Sequence, residues 1–123
     1  MKKIARALLG LIFVLGACST GHNDYETITM DEAKKIMDHE NVQVIDVRTQ
    51  PEYDEGHIPG AVLIPLQELE SRLDELEQDN PYIIVCRSGN RSQEASQMLV
   101  ENGFTKIYNT SGGMKEWKYD IEK

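Results

Sequence analysis

Short apolar runs separated by segments of helical periodicity constrain the fold of this 123-residue chain more than any other feature. Val42–Val47, Ala61–Ile64 and Tyr82–Val85 are each too short for a helix and are rich in β-branched or aromatic residues, so they read as strands. The first is apolar on both faces beyond its opening turn, and the last reads as fully buried. Between and around them lie helix signals. Thr29-Met30-Asp31-Glu32 is a capping box for a helix running to about His39, and Thr49-Gln50-Pro51-Glu52 repeats the device with a proline allowed in the first turn. Leu66, Leu69, Leu73 and Leu76 recur at spacings of three and four, which predicts an amphipathic helix over about Gln67 to Gln78 with a solvated acidic face. Ala95, Met98 and Leu99 predict another from Ser92 to the stop at Asn102-Gly103. Tyr25–Ile28 is a candidate edge strand and Lys106–Asn109 a last strand. Gly112-Gly113 then breaks the chain before a closing helix-like segment with Trp117. Strands alternating with helices predict an α/β fold in three layers, a mostly parallel sheet of about five strands with helices on both faces. Ligands of such sheets bind beyond the carboxyl ends of the strands.

Two of those ends carry chemistry: Asp46-Val47-Arg48 and Cys86-Arg87-Ser88-Gly89-Asn90-Arg91-Ser92. In the second, a thiol closes a buried strand immediately before a helix. The loop amides and the free N–H groups of the first helical turn then point into one small anion-binding cup. Cys86 at its edge is expected to have a lowered pKa, helped by the helix dipole and by Arg87 and Arg91. A structural cysteine needs no such neighbours. Gly89 permits a positive φ or a close approach, and Ser88 and Ser92 can add hydrogen bonds, Ser92 as a candidate N-cap. Arg48 is either a third positive group near the anion or the partner of Glu52 or Asp46 in an ion pair that fixes the turn.

The two ends of the chain bound the rest. Lys2, Lys3 and Arg6 precede an apolar stretch from Ala7 to Val14 broken by Gly10, the pattern of an export signal over residues 1–17 and too short to span a bilayer comfortably. Leu15-Gly16-Ala17-Cys18 resembles the lipobox of bacterial lipoproteins. That resemblance implies that Cys18 is acylated and becomes the new N-terminus, and that the domain is anchored to a cell-envelope membrane outside the cytoplasm. Residues 18–24 read as a linker and residues 25–123 as one domain. With Cys18 acylated, Cys86 is the one free thiol, so sulfur or a disulfide on it must be discharged by an outside acceptor or reductant.

Cleavage removes three of the 13 Lys and Arg residues, leaving ten against 21 Asp and Glu and a net charge of −11. No nucleic-acid partner is therefore expected. Screening over about 8 Å hides distant acidic surface from a small anion, and the arginines and amides of the loop lie closer than that. His22 and His39 are isolated, and no spacing suggests a metal site or a cofactor.

Four segments in order resemble the rhodanese family of sulfurtransferases: Val44-Ile45-Asp46-Val47-Arg48 with Glu52-Tyr53; Gly56-His57-Ile58-Pro59-Gly60-Ala61 with Ile64-Pro65; the loop from Cys86 to Ser92; and Gly112-Gly113-Met114-Lys115-Glu116-Trp117. The resemblance spans about Tyr25 to Tyr119. It implies a rhodanese-like fold. It also implies that Cys86 takes a sulfane sulfur from a small anionic donor such as thiosulfate, or from a persulfide, and passes it to cyanide or a thiol, which can be a protein thiol. Arg87 and Arg91 would hold the donor's oxyanion, and Ser88, Gly89, Asn90 and Ser92 would complete the substrate loop. His57 is expected to fix a turn and Trp117 to anchor the core. A monomer is expected.

Two other classes of function fit parts of the pattern. A cysteine-dependent phosphatase or arsenate reductase also uses an anion cup, but its pattern places five residues between Cys and Arg. Cys86 and Arg91 enclose four, and Ser92 stands where that arginine would fall. A tethered sulfur carrier, redox sensor or binding domain needs no turnover, but the complete loop with its cysteine favours chemistry.

Overall fold

A computed structural model describes residues 24–123. The expected export signal, the lipidation site Cys18 and nearly all of the linker lie outside the described residues. Five strands, β1 (Tyr25–Ile28), β2 (Gln43–Asp46), β3 (Val62–Leu63), β4 (Tyr82–Val85) and β5 (Ile107–Thr110), form one sheet in the order β1-β5-β4-β2-β3, and every pairing is parallel.

Alternating side chains divide the interior into two cores. Ile45, Val47, Ile84 and Cys86 face one side with Leu69, Ala95 and Leu99. Val44, Ile83 and Val85 face the other with Met30, Ala33 and Ile58. The first core is covered by α3 (Leu66–Leu69) and α4 (Asn90–Glu101), the second by α1 (Met30–His39) and the end of the chain. Adjacent residues of β2 and β4 are thus buried on opposite faces, which explains the unbroken apolar run of β4 and the Val44-Ile45 pair of β2; each fully buried Ile contributes roughly 1.5–3 kcal/mol.

Both expected capping boxes form. The Thr29 hydroxyl accepts the Glu32 N–H at 3.0 Å and Glu32 accepts the Thr29 N–H at 2.8 Å. The Thr49 and Glu52 pair does the same at the start of α2 (Gln50–Glu55).

Three expectations need correction. The helix over Gln67–Gln78 is instead α3 followed by a 3₁₀ segment, Glu70–Glu75, with non-helical φ/ψ at Arg72. Like charges at Glu70 and Asp74 oppose a regular helix, and Arg72 at the kink still reaches Glu68 and Glu75, each at 2.9 Å. The leucine stripe survives because a spacing of three suits a 3₁₀ turn as well as an α turn. The strand at Ala61–Ile64 shrinks to Val62–Leu63, since the Ala61 N–H turns back to the Ile58 carbonyl. The closing helix is one 3₁₀ turn, Gly113–Glu116, after which Trp117 packs against the second core.

Registers in the sheet bring the chemistry together. Asp46 lies opposite Val85, and Ile84 opposite Asn109, so the chain leaves β2, β4 and β5 at the same rim. Cys86, Arg48 and the Gly112-Gly113 turn all emerge there.

Candidate active site

Cys86 follows the last residue of β4 and is 1% exposed. The chain then curls through Ser88 to Gly89, whose φ of 111° lies in the left-handed region and begins α4. A Cβ at Gly89 would have only ordinary contacts, so the glycine is required there for its conformation and not for space. The curl turns two amides onto the sulfur: Gly89 N–H and Ser92 N–H donate to Cys86 Sγ at 3.1 and 3.2 Å. Burial pushes the thiol pKa up, but the Ser92 hydroxyl and the N–H groups of Ser92, Gly89 and Ser88 stabilise the thiolate, and the net shift is downward. Ser92 does not cap the helix, as its hydroxyl suggested. Gly89 holds the cap position, and Ser92, wholly buried in the first turn, places its Oγ 3.2 Å from the Gly89 carbonyl and 3.3 Å from that of Thr110.

A second backbone segment closes the site from behind. Met114 N–H donates to the Cys86 carbonyl at 2.8 Å and Lys115 N–H to that of Arg87 at 3.1 Å. These bonds satisfy the loop's outward carbonyls and leave its amides for the sulfur side.

A thiol at a strand end, held by loop and helix amides, is the arrangement the resemblance required, and the family model for the rhodanese-like domain matches residues 29–120. The chain belongs to the rhodanese-like family. Among relatives, YrkF of Bacillus subtilis (strain 168) is 40% identical over 84 residues, covering 68% of this chain and 45% of that one, so the match spans less than half of YrkF. The thiosulfate sulfurtransferase GlpE of Pseudoalteromonas translucida (strain TAC 125) is 35% identical over 94 residues, 76% of this chain and 90% of GlpE. The crystal structure of a rhodanese-like domain protein from Staphylococcus aureus matches with a TM-score of 0.73 at 36% identity, covering 79% of this chain and 96% of that one. The five-stranded parallel α/β fold is therefore the rhodanese-like fold, and a sulfur-transfer role is supported by these homologues.

Within this rhodanese-like loop the arginines part ways. Arg87 is exposed, as are Ser88 and Asn90. Arg91 is half-buried, and its two terminal nitrogens meet the two carboxylate oxygens of Glu52 at 2.8 and 3.0 Å. Arg48, considered as a third positive group for the substrate, takes the other alternative. Its Nε and Nη2 fork onto the fully buried Asp46 carboxylate at 2.7–3.0 Å, and Nη2 also donates to the Gly56 carbonyl at 2.9 Å. Desolvation of Asp46 demands that partner, so the Arg48 charge is spent inside the turn.

His57 fixes a turn as expected. Its ring stacks on Tyr53 at 3.6 Å, Nδ1 lies 2.8 Å from the Tyr53 carbonyl, and its backbone pairs with Glu122. Glu52 is the site residue that sequence reasoning left in a purely local role. The available signal was its place: it caps the helix that leaves β2 at the same rim as the Cys86 loop.

Proposed function

We propose that this domain is a thiosulfate or persulfide sulfurtransferase working through a Cys86 persulfide. The single observation that carries the reading is the pair of amide donors, Gly89 and Ser92, aimed at Cys86 Sγ from a loop that also opens to solvent at Arg87. In the first half-reaction the Cys86 thiolate attacks the outer sulfur of thiosulfate. A new S–S bond forms to Cys86, the donor's S–S bond breaks, and sulfite leaves with the electron pair. In the second, a thiolate or cyanide attacks the outer sulfur of Cys86–S–S⁻, giving a persulfide or thiocyanate and returning the Cys86 thiolate. Electrons and atoms balance without a redox cofactor. The negative charge sits on sulfur before and after each step, so the same amides serve both states.

Arg87, the loop's exposed guanidinium, meets the donor's oxyanion, and the backbone cup holds the sulfur. A phosphatase mechanism lacks its arginine here, because position 92 is a wholly buried serine turned toward the Gly89 and Thr110 carbonyls. Steady-state transfer from thiosulfate to cyanide tests the reading: wild type turns over, and Cys86→Ser does not while keeping its fold.

The reading extends to location. Acylation of Cys18 would hold the domain at the outer face of a bacterial envelope membrane, where two or more acyl chains give stable anchoring and one gives only marginal binding. Metabolic labelling with a fatty acid tests it: Cys18→Ala should yield an unlipidated precursor, and soluble release of unlipidated wild type would contradict it.

A further inference from the structure

The described residues hold four arginines, and three have carboxylate partners: Arg48 with Asp46, Arg72 with Glu68 and Glu75, and Arg91 with Glu52. Arg87 alone has none among the described residues. The rim around Cys86 therefore carries one uncompensated guanidinium where the sequence places three.

The Glu52–Arg91 pair is held from both sides. Glu52 Oε1 accepts the Thr49 N–H and the Thr49 hydroxyl, each at 3.0 Å, while it also accepts Arg91 Nη1 at 2.8 Å. The capping box thus fixes the carboxylate before the arginine reaches it. The side chains of Arg91 and Glu52 are 31% and 27% exposed, so the pair is partly shielded from solvent screening. A fixed pair of this kind presents a dipole to the cup and no net charge.

Donors differ in the charge they bring. Thiosulfate is a dianion, whereas the deprotonated persulfide of a neutral thiol is a monoanion, and both deliver their outer sulfur by the same exchange with the Cys86 thiolate. Each added positive charge near the cup favours the dianion more. We propose that Glu52 is a specificity-determining residue, which by neutralising Arg91 biases the site away from thiosulfate and toward singly charged persulfides. The proposal rests on the sulfur-transfer reading and concerns donor choice alone.

The test compares rates of sulfur loading onto Cys86, followed by mass spectrometry of the intact protein, with thiosulfate and with the persulfide of 2-mercaptoethanol. Glu52→Gln keeps an oxygen for the capping box and removes the charge. It should raise the thiosulfate-to-persulfide rate ratio roughly tenfold, the equivalent of about 1.4 kcal/mol. Arg91→Met leaves Glu52 unbalanced and should lower the ratio. The double variant Glu52→Gln/Arg91→Met has the net charge of wild type and should return the ratio to near the wild-type value.

An unchanged or lower ratio in Glu52→Gln would overturn the proposal. So would a double variant as poor with thiosulfate as Arg91→Met, because Arg91 would then bind the donor directly. If Glu52→Gln does not fold, Arg91→Met against wild type decides: a lowered thiosulfate-to-persulfide ratio supports the proposal, and an unchanged or raised ratio overturns it. Failure of wild type to load from either donor would sink the sulfur-transfer reading instead. The charge effect is then read from thiosulfate protection of Cys86 against iodoacetamide, which Glu52→Gln should strengthen; equal protection would overturn the proposal.

Discussion

Gly113 lies against the Cys86 carbonyl so closely that a Cβ on it would stand 2.4 Å from that oxygen and 2.6 Å from the Arg87 carbonyl. Its φ of 59° is also left-handed. Both groups it would meet are backbone, so Gly113→Ala must displace the Cys86 loop. We expect a loss of about 2–4 kcal/mol, combining the left-handed strain with overpacking, and a larger fractional loss of activity. Gly112→Ala is the control. Its Cβ would meet the flexible Glu116 side chain, and about 1–2 kcal/mol is expected. Urea denaturation of the two variants measures the difference; equal costs would mean that the close approach to the loop carries no energy.

Cys86 should alkylate with iodoacetamide with a pH midpoint below the free-thiol value of about 8.5. Burial opposes this shift, and the donors from Ser92, Gly89 and Ser88 outweigh it. Ser92→Ala removes the hydroxyl but keeps the N–H, so the midpoint should move upward and stop short of that in a loop without donors. A wild-type midpoint at or above the free value would contradict the activation argument.

Removing Arg48 should cost stability, because it strands Asp46 as a fully buried carboxylate. Arg48→Met is expected to lose about 3–5 kcal/mol, the range for breaking one side of a buried ion pair. Asp46→Asn/Arg48→Met should recover part of that loss. Chemical denaturation checks both, and a cost below about 1 kcal/mol for Arg48→Met would place the pair among surface bridges.

Glu52 gives the fold an acid-sensitive contact. The Arg91 fork, with the Thr49 donors, lowers its pKa from 4.5 to about 2 against the opposing effect of burial. A carboxylate depressed in the folded state contributes stability that is complete above its unfolded pKa and is lost as pH falls through the folded value. Relative to Glu52→Gln, wild type should therefore gain on the order of 1–3 kcal/mol above pH 4.5 and lose it on acidification toward pH 2. Thermal melts of both proteins across that window measure the difference; parallel curves would show that the pair adds nothing to stability.

Local rules made much of this molecule legible. Thr29 and Thr49 announce their helices because a capping box is satisfied within four residues, and the runs at Val42–Val47 and Tyr82–Val85 announce central strands because both faces are buried. The Cys86 loop was readable for the same reason: thiol, glycine and helix start are contiguous. What escaped depends on contacts between distant segments. Nothing local tells Arg91 to choose Glu52, 39 positions away, or Gly113, beyond the end of β5, to face Cys86 at the end of the neighbouring β4. The helix expected near Arg72 failed because its leucine spacing fits a 3₁₀ turn as well as an α turn, so the apolar stripe does not choose between them.

The central claim, that Cys86 carries the transferred sulfur, is tested most directly by mass spectrometry of the intact protein after exposure to thiosulfate and removal of excess donor. A gain of one sulfur atom on Cys86, discharged by cyanide as thiocyanate and absent from Cys86→Ser, is the predicted result. A wild-type protein that gains no sulfur, or a serine variant that gains as much, would contradict it.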